Sequence, residues 1–226
     1  MQECEYCAIK SKAVGTLNPE ELDILKKNCA EVTLQAGENI IKEGLLSSQV
    51  AYLKSGLAKI SKKGVKEIDQ ILKLVKPGSY LGLQTVLSSK IHQYSASAVE
   101  ESVICYIDIW SFKELIMRNA QFANELILYM CRDELTYFNR FVDVQQKQID
   151  GRLADTILYF ADDINDGLRA FNIPLSRNDI AALVSATRES VSRAIKDLSD
   201  IETIRVNGKH FEIINYELLK KISQKG

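Results

Sequence analysis

The chain changes character near Trp110, and this change limits the folds that it can adopt. From about Val32 to Ile109 it offers short runs rich in β-branched and aliphatic residues, with six glycines between positions 37 and 82. These runs are too short and too regularly interrupted for helices, and they predict an antiparallel barrel or sandwich. The predicted strands are VTLQ, ENIIKE, VAYLKSGLAKISK, IDQILKLV, YLGLQTV and SVICYIDI.

From Trp110 to about Asn165 glycine is almost absent, proline is absent, and apolar residues recur at helical spacing, which predicts a long helical region. Its polar stretch Gln145–Gln148 predicts a break, and the following Asp150-Gly151 pair predicts the hinge into the next domain. Before the strands, LNPEELDILKKNC predicts a short helix, because Asn18 can cap it and Pro19 suits its first position.

The segment LSRNDIAALVSATRESVSRAIKDL predicts two short helices joined by a turn. Ser176 can cap the first helix together with Asp179, and Thr187 can cap the second. The turn passes through Ser185 and Ala186, so the pattern is that of a helix-turn-helix.

The second of these helices predicts a surface suited to base edges. Val191, Ile195 and Leu198 supply its inward face, which leaves four polar side chains outside. Arginine donates paired hydrogen bonds to guanine, glutamate accepts from the cytosine amino group, and serine serves either partner. The residues predicted to face the major groove are Arg188, Glu189, Ser192 and Arg193.

The stretch IETIRVNGKHFEIIN follows directly and contains two alternating runs joined by Asn207-Gly208, a strong hairpin signal. We interpret it as a wing, with Arg205 and Lys209 placed to meet backbone phosphates. Taken together, the predicted DNA-contacting residues are Ser176, Thr187, Arg188, Glu189, Ser192, Arg193, Arg205 and Lys209.

The long helical region also carries an apolar stripe beyond what a small barrel could cover. One interpretation is packing onto the chain's own core, and the other is pairing with the same helix of a second copy. The predicted dimer interface comprises Ile127, Met130, Tyr137, Phe138, Phe141 and Val144.

Composition and motifs argue against several classes of protein. The formal net charge of -1 gives no overall basic footprint, so any DNA-binding surface must be locally positive. There is no run of eighteen apolar residues, and MQECEYCAIKSKAVG lacks the features of a secretory signal, so we expect a cytoplasmic protein without membrane association. No nucleophile motif, phosphate loop or HExxH is present, and the strands offer only His92 for a cupin-like metal barrel, so no enzyme is expected.

Nearly the whole chain resembles the CRP/FNR family of bacterial transcription regulators. The resemblance is carried by LQAGENIIKEG, VAYLKSGLAKI, LVKPGSYLG and SVICYIDIWSFKEL in the first part, and by LSRNDIAALVSATRESVSRAIKDL and VNGKHF in the second. It implies an α+β chain with an N-terminal antiparallel, jelly-roll-like β-roll sensor over residues 1–118. A dimerisation helix over residues 119–148 and a winged helix-turn-helix over residues 149–226 complete the expected domains.

The resemblance also implies how DNA is bound. RESVSR fits the family's base-reading positions, so Glu189, Ser192 and Arg193 are expected to read a TTGA-like half-site, with Arg188 adding a further contact. The implied partners are double-stranded DNA, a second copy of the chain and RNA polymerase. Ser185 departs from the family, which often has glycine in this turn, and a left-handed conformation there would cost about 1 kcal/mol.

For the sensor, the family's cyclic-nucleotide-binding members use a glutamate and an arginine-serine pair. Here Leu83 and Gln84 follow Gly82, while Tyr94 and Ser95 stand at the arginine-serine position. Losing the charged phosphate contact argues against cyclic AMP as a ligand. The four residues Leu83, Gln84, Tyr94 and Ser95 therefore mark an effector pocket of different chemistry.

The family's other branch binds an iron-sulfur cluster through cysteines. The resemblance places Cys4, Cys7 and Cys105 on ligand positions, but the third N-terminal position is Ala13, and a cubane cluster normally takes four thiolates. The other interpretation is that Cys4 and Cys7 are an inert CxxC and that Cys105 is a core residue. The candidates for the missing ligand are Cys29 and an exogenous group.

The leading hypothesis is thus a homodimeric transcription regulator controlled by an effector or redox signal at the β-roll. The alternative is a ligand-binding signalling module whose winged helix contacts protein instead of DNA, an interpretation favoured by the near-neutral net charge.

Overall fold

A computed structural model of the chain describes residues 10–64 and 69–226. The chain divides into two compact units, Met1–Leu135 and Thr136–Gly226. The division falls inside the longest helix, α3 (Ala120–Gln146), which contributes residues to both units. None of the helices within the described residues is long and apolar enough to cross a membrane.

The described part of the first unit contains two four-stranded antiparallel sheets, in the orders β1-β8-β3-β6 and β2-β7-β4-β5. This arrangement confirms the predicted antiparallel roll. The strands are β1 (Cys29–Leu34), β2 (Asn39–Ile41), β3 (Gln49–Ser55), β4 (Ala58–Lys63), β5 (Asp69–Val75), β6 (Ser79–Leu81), β7 (Ser95–Ala98) and β8 (Ser102–Asp108).

The two faces of the first sheet serve different cores, because successive side chains of a strand point to opposite sides. Ile104 on β8 and Leu53 on β3 pack with Ile60 of the second sheet, so their cluster lies between the sheets. Ile107 and Val50 belong to a second cluster, which the sheet shares with helical residues.

That second cluster is covered by α1 (Pro19–Lys27) and α2 (Ile109–Arg118), together with the first turns of α3. The predicted cap of α1 is confirmed, since the Asn18 side chain accepts from the Glu21 backbone N–H at 2.9 Å. The Glu21 carboxylate in turn accepts from the Asn18 backbone N–H and from Asn119, which ties α1 to the start of α3.

Two strand predictions need correction. Of YLGLQTV only Tyr80 and Leu81 lie in a strand, β6, because Gly82 adopts a φ of +86° and the chain continues into a π-helical turn, Thr85–Ser89. The strand Ser95–Ala98 was not predicted. Its sequence alternates serine and alanine, which have little intrinsic strand preference, and its pairing with β2 and β4 makes it a strand.

The predicted hinge at Asp150-Gly151 is also wrong. α3 ends at Gln146 as the polar break predicts, but both residues lie inside the next helix, α4 (Ile149–Tyr159). Gly151 is needed for packing, since a Cβ there would lie 2.6 Å from the Cα of Gly226 at the end of α7 (Tyr216–Lys225).

The second unit forms a helical layer with a small sheet. Besides α4 and α7 it contains α5 (Arg177–Leu183), α6 (Arg188–Asp200), a π-helical turn (Phe160–Ile164) and the strands β9 (Ala170–Asn172), β10 (Ile204–Asn207) and β11 (His210–Ile213). The sheet is antiparallel, in the order β10-β11-β9. Completely buried side chains from each layer meet in its core, among them Ile157, Phe160, Ile180, Val191, Phe211 and Leu219.

Candidate nucleic-acid interface

Helix α5 begins at a complete capping box. The Ser176 hydroxyl accepts from the Asp179 backbone N–H at 3.0 Å and donates to the Asp179 carboxylate at 2.6 Å. The same carboxylate accepts from the Ser176 backbone N–H at 3.2 Å. The predicted start of the helix-turn-helix is therefore confirmed, and the Ser176 hydroxyl is occupied by this cap.

The turn between α5 and α6 forms the left-handed conformation considered above. Ser185 has a φ of +53°, and the Ala186 backbone N–H donates to the Ala181 carbonyl at 2.9 Å. This six-to-one hydrogen bond is that of a Schellman motif, in which glycine usually occupies the left-handed position. A serine in that position keeps the turn but strains it.

Two arginines satisfy the last carbonyls of α5, a feature that the sequence analysis missed. Arg152 on α4 donates through Nε to the Val184 carbonyl at 2.7 Å, and Arg140 on α3 donates to the Leu183 carbonyl. Arg152 also donates through Nη1 to the carbonyls of Val144 at 3.2 Å and Lys147 at 2.6 Å. One guanidinium thus binds the end of α3 and the end of α5 together.

The second helix, α6, presents the four polar residues predicted to face outward. Thr187 caps it by accepting from the Ser190 backbone N–H at 3.1 Å. Its inward side is buried at Val191, Ala194 and Leu198, whereas Ile195 is only half-buried. The side chains on the opposite side are all exposed, namely Arg188, Glu189, Ser192 and Arg193.

The exposed face of α6 combines one fixed negative charge with two positive ones. Hydrogen bonds from its own backbone N–H and from Thr187 lower the pKa of Glu189, and the charges of Arg188 and Arg193 act in the same direction. Glu189 is therefore an acceptor at neutral pH. Arg193 is exposed and donates to the Ser190 hydroxyl at 3.4 Å.

The wing is the β10–β11 hairpin, with its turn one residue later than predicted. Asn207 pairs with His210, so Gly208 and Lys209 are the two loop residues. Gly208 has a φ of +60° at the first loop position, as a type II′ turn requires. The hairpin itself is as predicted.

The cations of the wing have partners inside the unit. Arg205 forms an exposed ion pair with Glu212 at 2.6 Å, and Lys209 Nζ donates to the Pro174 carbonyl at 3.1 Å. Arg177, at the first position of α5, donates to the Gly208 carbonyl at 2.9 Å and stacks over Phe211, with 5.3 Å from Cζ to the ring centroid. Arg177 was not predicted, and it connects the wing tip to the helix-turn-helix.

In the first unit, the four residues predicted to mark an effector pocket all contact other residues of the roll. Leu83 is 2% exposed and belongs to the core. The Tyr94 hydroxyl accepts from the Gly82 backbone N–H at 2.8 Å and faces the Gln84 side-chain oxygen at 3.4 Å. Burial raises the pKa of Tyr94 to about 12, so this hydroxyl stays protonated. Ser95 accepts from the Glu43 backbone N–H at 3.0 Å.

The helix α3 joins the same region of the first unit. Tyr129 accepts from the Tyr80 backbone N–H at 3.0 Å and donates to the Tyr80 carbonyl at 3.2 Å. One turn later, Asp133 forms an ion pair with Lys73 on β5, and both side chains are largely buried. These contacts fix α3 against the roll, and the Asp133 charge, after burial, contributes to the raised pKa of Tyr94.

Of the predicted cluster ligands, Cys4 and Cys7 lie outside the described residues, and Cys105 lies half-buried on β8. Within the described ranges, 10–64 and 69–226, no group of three or more histidines, cysteines or carboxylates could hold a metal ion.

The six residues of the predicted dimer interface occupy two environments on α3. Met130 packs against the core of the first unit. Ile127, Phe138 and Phe141 are exposed by 59%, 56% and 68%, whereas Tyr137 and Val144 are half-buried.

Two family models match the chain. The model of the cyclic nucleotide-binding domain matches residues 31–119, and that of the Crp-like helix-turn-helix domain matches residues 151–222. The CRP-like cAMP-activated global transcriptional regulator of Mycobacterium tuberculosis is 23% identical over 208 residues, covering 91% of this chain and 93% of the relative. Electron transport regulator A of Shewanella oneidensis is 25% identical over 225 residues, covering 97% and 90%.

Among solved structures, FixK2 from Bradyrhizobium japonicum shares the fold with a TM-score of 0.76 at 22% identity, covering 86% of this chain and 96% of that one. A cyclic-nucleotide-binding-type roll followed by a long helix and a winged helix-turn-helix defines a DNA-binding transcription regulator. The chain belongs to the CRP/FNR family of transcription regulators, which are not enzymes.

Proposed function

We propose that this regulator acts as a homodimer that reads inverted TTGA-like half-sites with Glu189, Ser192 and Arg193. The observation that carries the proposal is the exposed polar face at the start of α6, on a helix whose cap and inner side are both satisfied within the unit. The near-neutral net charge is no obstacle, because base-edge contacts depend on where the donors are rather than on the total charge.

The side chains suit the bases of such a half-site. Arg193 supplies the paired donors that match guanine O6 and N7, and the ionised Glu189 accepts from the amino group of the cytosine or adenine beside it. Ser192, between them, can contact a thymine methyl group or donate to an acceptor. Arg188 adds a further contact, to a base or a phosphate.

Contacts to the DNA backbone would come from residues around this face. We assign them to the helix starts at Ser176 and Thr187 and to the wing residues Arg205 and Lys209, whose present partners are a surface carboxylate and a carbonyl. An exposed ion pair contributes little stability, so exchanging Glu212 for a phosphate costs Arg205 little. Arg177, at the first position of α5, is the further residue that we add to this set.

The second copy would bind along α3. Exposed side chains occur there at successive spacings of three and four residues, the repeat of a two-stranded coiled coil. We therefore place the interface on Leu128, Cys131, Leu135, Phe138 and Val142, with Ile127 and Phe141 beside this seam. The half-buried Tyr137 and Val144 contribute at its edge, and Met130 supports the helix from the core side.

The sensor would respond to something other than cyclic AMP. The nucleotide-binding members carry a glutamate and an arginine, whereas this roll has a buried Leu83 and has Tyr94. The Tyr94 hydroxyl accepts a hydrogen bond from the Gly82 backbone N–H. We propose a redox signal instead, with an iron-sulfur cluster held by Cys4, Cys7 and Cys105 and by a fourth ligand. The cluster would supply oxygen-sensitive stability to the roll. Transcription would then be controlled in the cytoplasm through RNA polymerase.

Binding to a palindrome of two TTGA-type half-sites tests the DNA part of this proposal. With fluorescence anisotropy on labelled duplexes, the protein should prefer the palindrome over a scrambled sequence, and affinity for both should fall with added salt. Arg193→Ala should cost about 1–3 kcal/mol on the palindrome and relax the preference for guanine at one position.

Lys220→Ala, which removes one exposed positive charge from α7, is the matched control and should leave that preference intact. Equal affinity of the wild-type protein for the palindrome and the scrambled duplex would refute sequence-specific reading and favour a protein-contact role for the winged helix.

A further inference from the structure

His92 is a buried titratable side chain of the first unit that the proposed function does not use. It is only 8% exposed, and in the sequence it lies between the π-helical turn and β7. A Cβ placed on Gly82 would lie 3.4 Å from His92 Cε1 and 3.9 Å from His92 Nδ1. The imidazole therefore packs beside the glycine whose backbone N–H donates to Tyr94.

The backbone of His92 is bound in both directions. Its N–H donates to the Leu45 carbonyl at 2.9 Å, and its carbonyl accepts from the Gly44 N–H at 2.9 Å. These two bonds hold the chain between Gly82 and Tyr94, here called the Gly82–Tyr94 segment, against the loop that follows β2. The position of the His92 ring is thus fixed by the backbone on either side of it.

The ring carries a nitrogen without a partner. Among the described residues, no group forms a hydrogen bond with the buried His92 Nδ1. A neutral imidazole has one N–H donor, whereas an imidazolium has two and a full positive charge. Burying an unpaired charge costs far more than burying an unpaired neutral polar group. The site therefore favours the neutral ring, and burial lowers the pKa of His92.

The charged groups around His92 in the described chain do not offset a proton on its ring. Glu43, on the loop after β2, forms an ion pair with Lys62 on β4 at 2.8 Å. The Tyr94 hydroxyl stays neutral, because burial raises the pKa of Tyr94 to about 12. The π-helical turn has no titratable side chain. The other charged residues nearby in the sequence are exposed cations, which disfavour a further positive charge, namely Lys42 and Lys90.

The Gly82–Tyr94 segment adjoins a contact with α3. It begins two residues after Tyr80, whose backbone N–H donates to the Tyr129 hydroxyl at 3.0 Å and whose carbonyl accepts from it at 3.2 Å. Tyr129 lies on α3. A displacement of Gly82 would therefore act on the end of β6, which holds α3 to the roll.

We propose that His92 is a proton-sensitive switch in the first unit. The neutral ring keeps the Gly82–Tyr94 segment packed, and uptake of one proton from solvent by the ring opens the segment and loosens its contact with α3. This inference depends neither on the iron-sulfur cluster nor on the DNA contacts of the proposed function.

The direction of the pH effect follows from the burial of the ring. The packed segment binds the proton less readily than the open one, in which the imidazole regains its ordinary pKa of 6.5. Opening therefore becomes easier as the pH falls below that value. At about pH 5.5 the open form should gain at most about tenfold, because an imidazole one pH unit below its ordinary pKa is protonated about ten to one.

The test is amide hydrogen exchange of the full chain, followed by NMR at about pH 7.5 and about pH 5.5. Rates are compared as protection factors, so that the pH dependence of the exchange chemistry cancels. Protection of the Gly82 and His92 N–H groups should fall by up to about tenfold at the lower pH. Protection of the Asp108 N–H, which donates to the Asn28 carbonyl at 2.9 Å, should stay constant. In the same samples, the His92 Cε1 proton should titrate below the ordinary pKa of histidine.

Two variants assign the effect to one ring. His92→Phe keeps an aromatic ring beside Gly82 but cannot take up a proton, so it should abolish the pH dependence of protection. His210→Gln is the matched control and should behave as the wild-type protein does. His210 is the only other histidine, and it lies exposed on β11 with its Nδ1 3.1 Å from Asn172 Oδ1.

Three results would overturn the switch. Protection of the Gly82 N–H could be the same at both pH values in the wild-type protein, or it could fall equally in His92→Phe. The Asp108 N–H could also lose protection by the same factor as Gly82, which would mean that the whole unit unfolds and that no local opening occurs. If His92→Phe does not fold, the wild-type comparison of Gly82 with Asp108 and the titration of the His92 ring decide the question.

Discussion

The recognition helix α6 and the sensor segment around Gly82 and Tyr94 both carry polar side chains that the sequence marks as functional, but these side chains have different partners. On α6 the protein satisfies the helix end through Thr187 and leaves Arg188 and Arg193 directed outward. In the roll the corresponding groups bind one another, as Tyr94 does with the Gly82 backbone N–H.

The polar side chains of α6 are exposed to solvent, whereas the polar groups around Gly82 and Tyr94 already bind one another. The backbone of α6 is already ordered and capped, so binding DNA would require its exposed side chains to be ordered but not the helix to form. In the roll the Gly82 backbone N–H already donates to the Tyr94 hydroxyl, and a buried N–H left without a partner is costly. In this chain the polar face of α6 is thus exposed, whereas the Tyr94 hydroxyl is already bound within the roll.

The largest effect on stability and on DNA selectivity is expected from a substitution of Arg152. Arg152→Gln removes donors from the carbonyls of Val144, Lys147 and Val184, which hold α3 and α5 together. We expect a destabilisation of the second unit by about 2–4 kcal/mol, because charged hydrogen bonds to buried carbonyls are lost. Binding to the TTGA palindrome should fall much more than binding to a scrambled duplex.

Thermal unfolding and fluorescence anisotropy measure both effects of that change. Arg118→Gln is the control, since Arg118 forms only an exposed ion pair with Glu114 and such pairs contribute little. Unchanged unfolding and unchanged selectivity in Arg152→Gln would show that the output surface does not depend on these arginine contacts.

These contacts also show where sequence reasoning ends. The caps at Ser176 and Thr187 and the turn at Gly208 are local, so neighbouring residues were enough to predict the helix-turn-helix and the hairpin. The contacts of Arg152 and Arg140 with α5 span 32 and 43 residues and leave no local pattern.

In the sensor, the glycine-punctuated runs were enough to predict the strands of the roll, apart from Ser95–Ala98. The contacts among the residues of the predicted effector pocket could be predicted only in part. Replacement of the family's acid and arginine was visible at Leu83 and Tyr94, but the hydrogen bond from the Gly82 backbone N–H depends on how two loops approach each other.

A smaller effect on stability is expected when the Tyr94 hydroxyl is removed. Tyr94→Phe keeps the ring but removes the hydroxyl that binds the buried Gly82 N–H, so it should destabilise the first unit by about 1–3 kcal/mol. Tyr216→Phe, which removes a hydroxyl from an exposed bond to Asp162, should cost clearly less. Amide hydrogen exchange at Gly82 reports the change directly, and unaltered protection there would mean that Tyr94 does not close the site.

The smallest effect concerns the strained turn of the output domain. Ser185 adopts a φ of +53° at the left-handed position of the Schellman motif, where a side chain costs about 1 kcal/mol relative to glycine. Ser185→Gly removes this strain but makes the unfolded chain more flexible, so the net stabilisation should stay below about 1 kcal/mol. Ser199→Gly makes the same chemical change inside α6, where glycine weakens a helix, and should destabilise instead.

Opposite signs for the two serine substitutions, measured as shifts of the thermal midpoint, would locate the strain in the backbone of the turn. The same sign for both would mean that the serine side chain, and not its conformation, decides the stability there. Because α6 begins three residues after Ser185, relief of the strain should leave selectivity for the palindrome unchanged, whereas a loss of selectivity would show that the strained turn itself sets the angle at which α6 meets the bases.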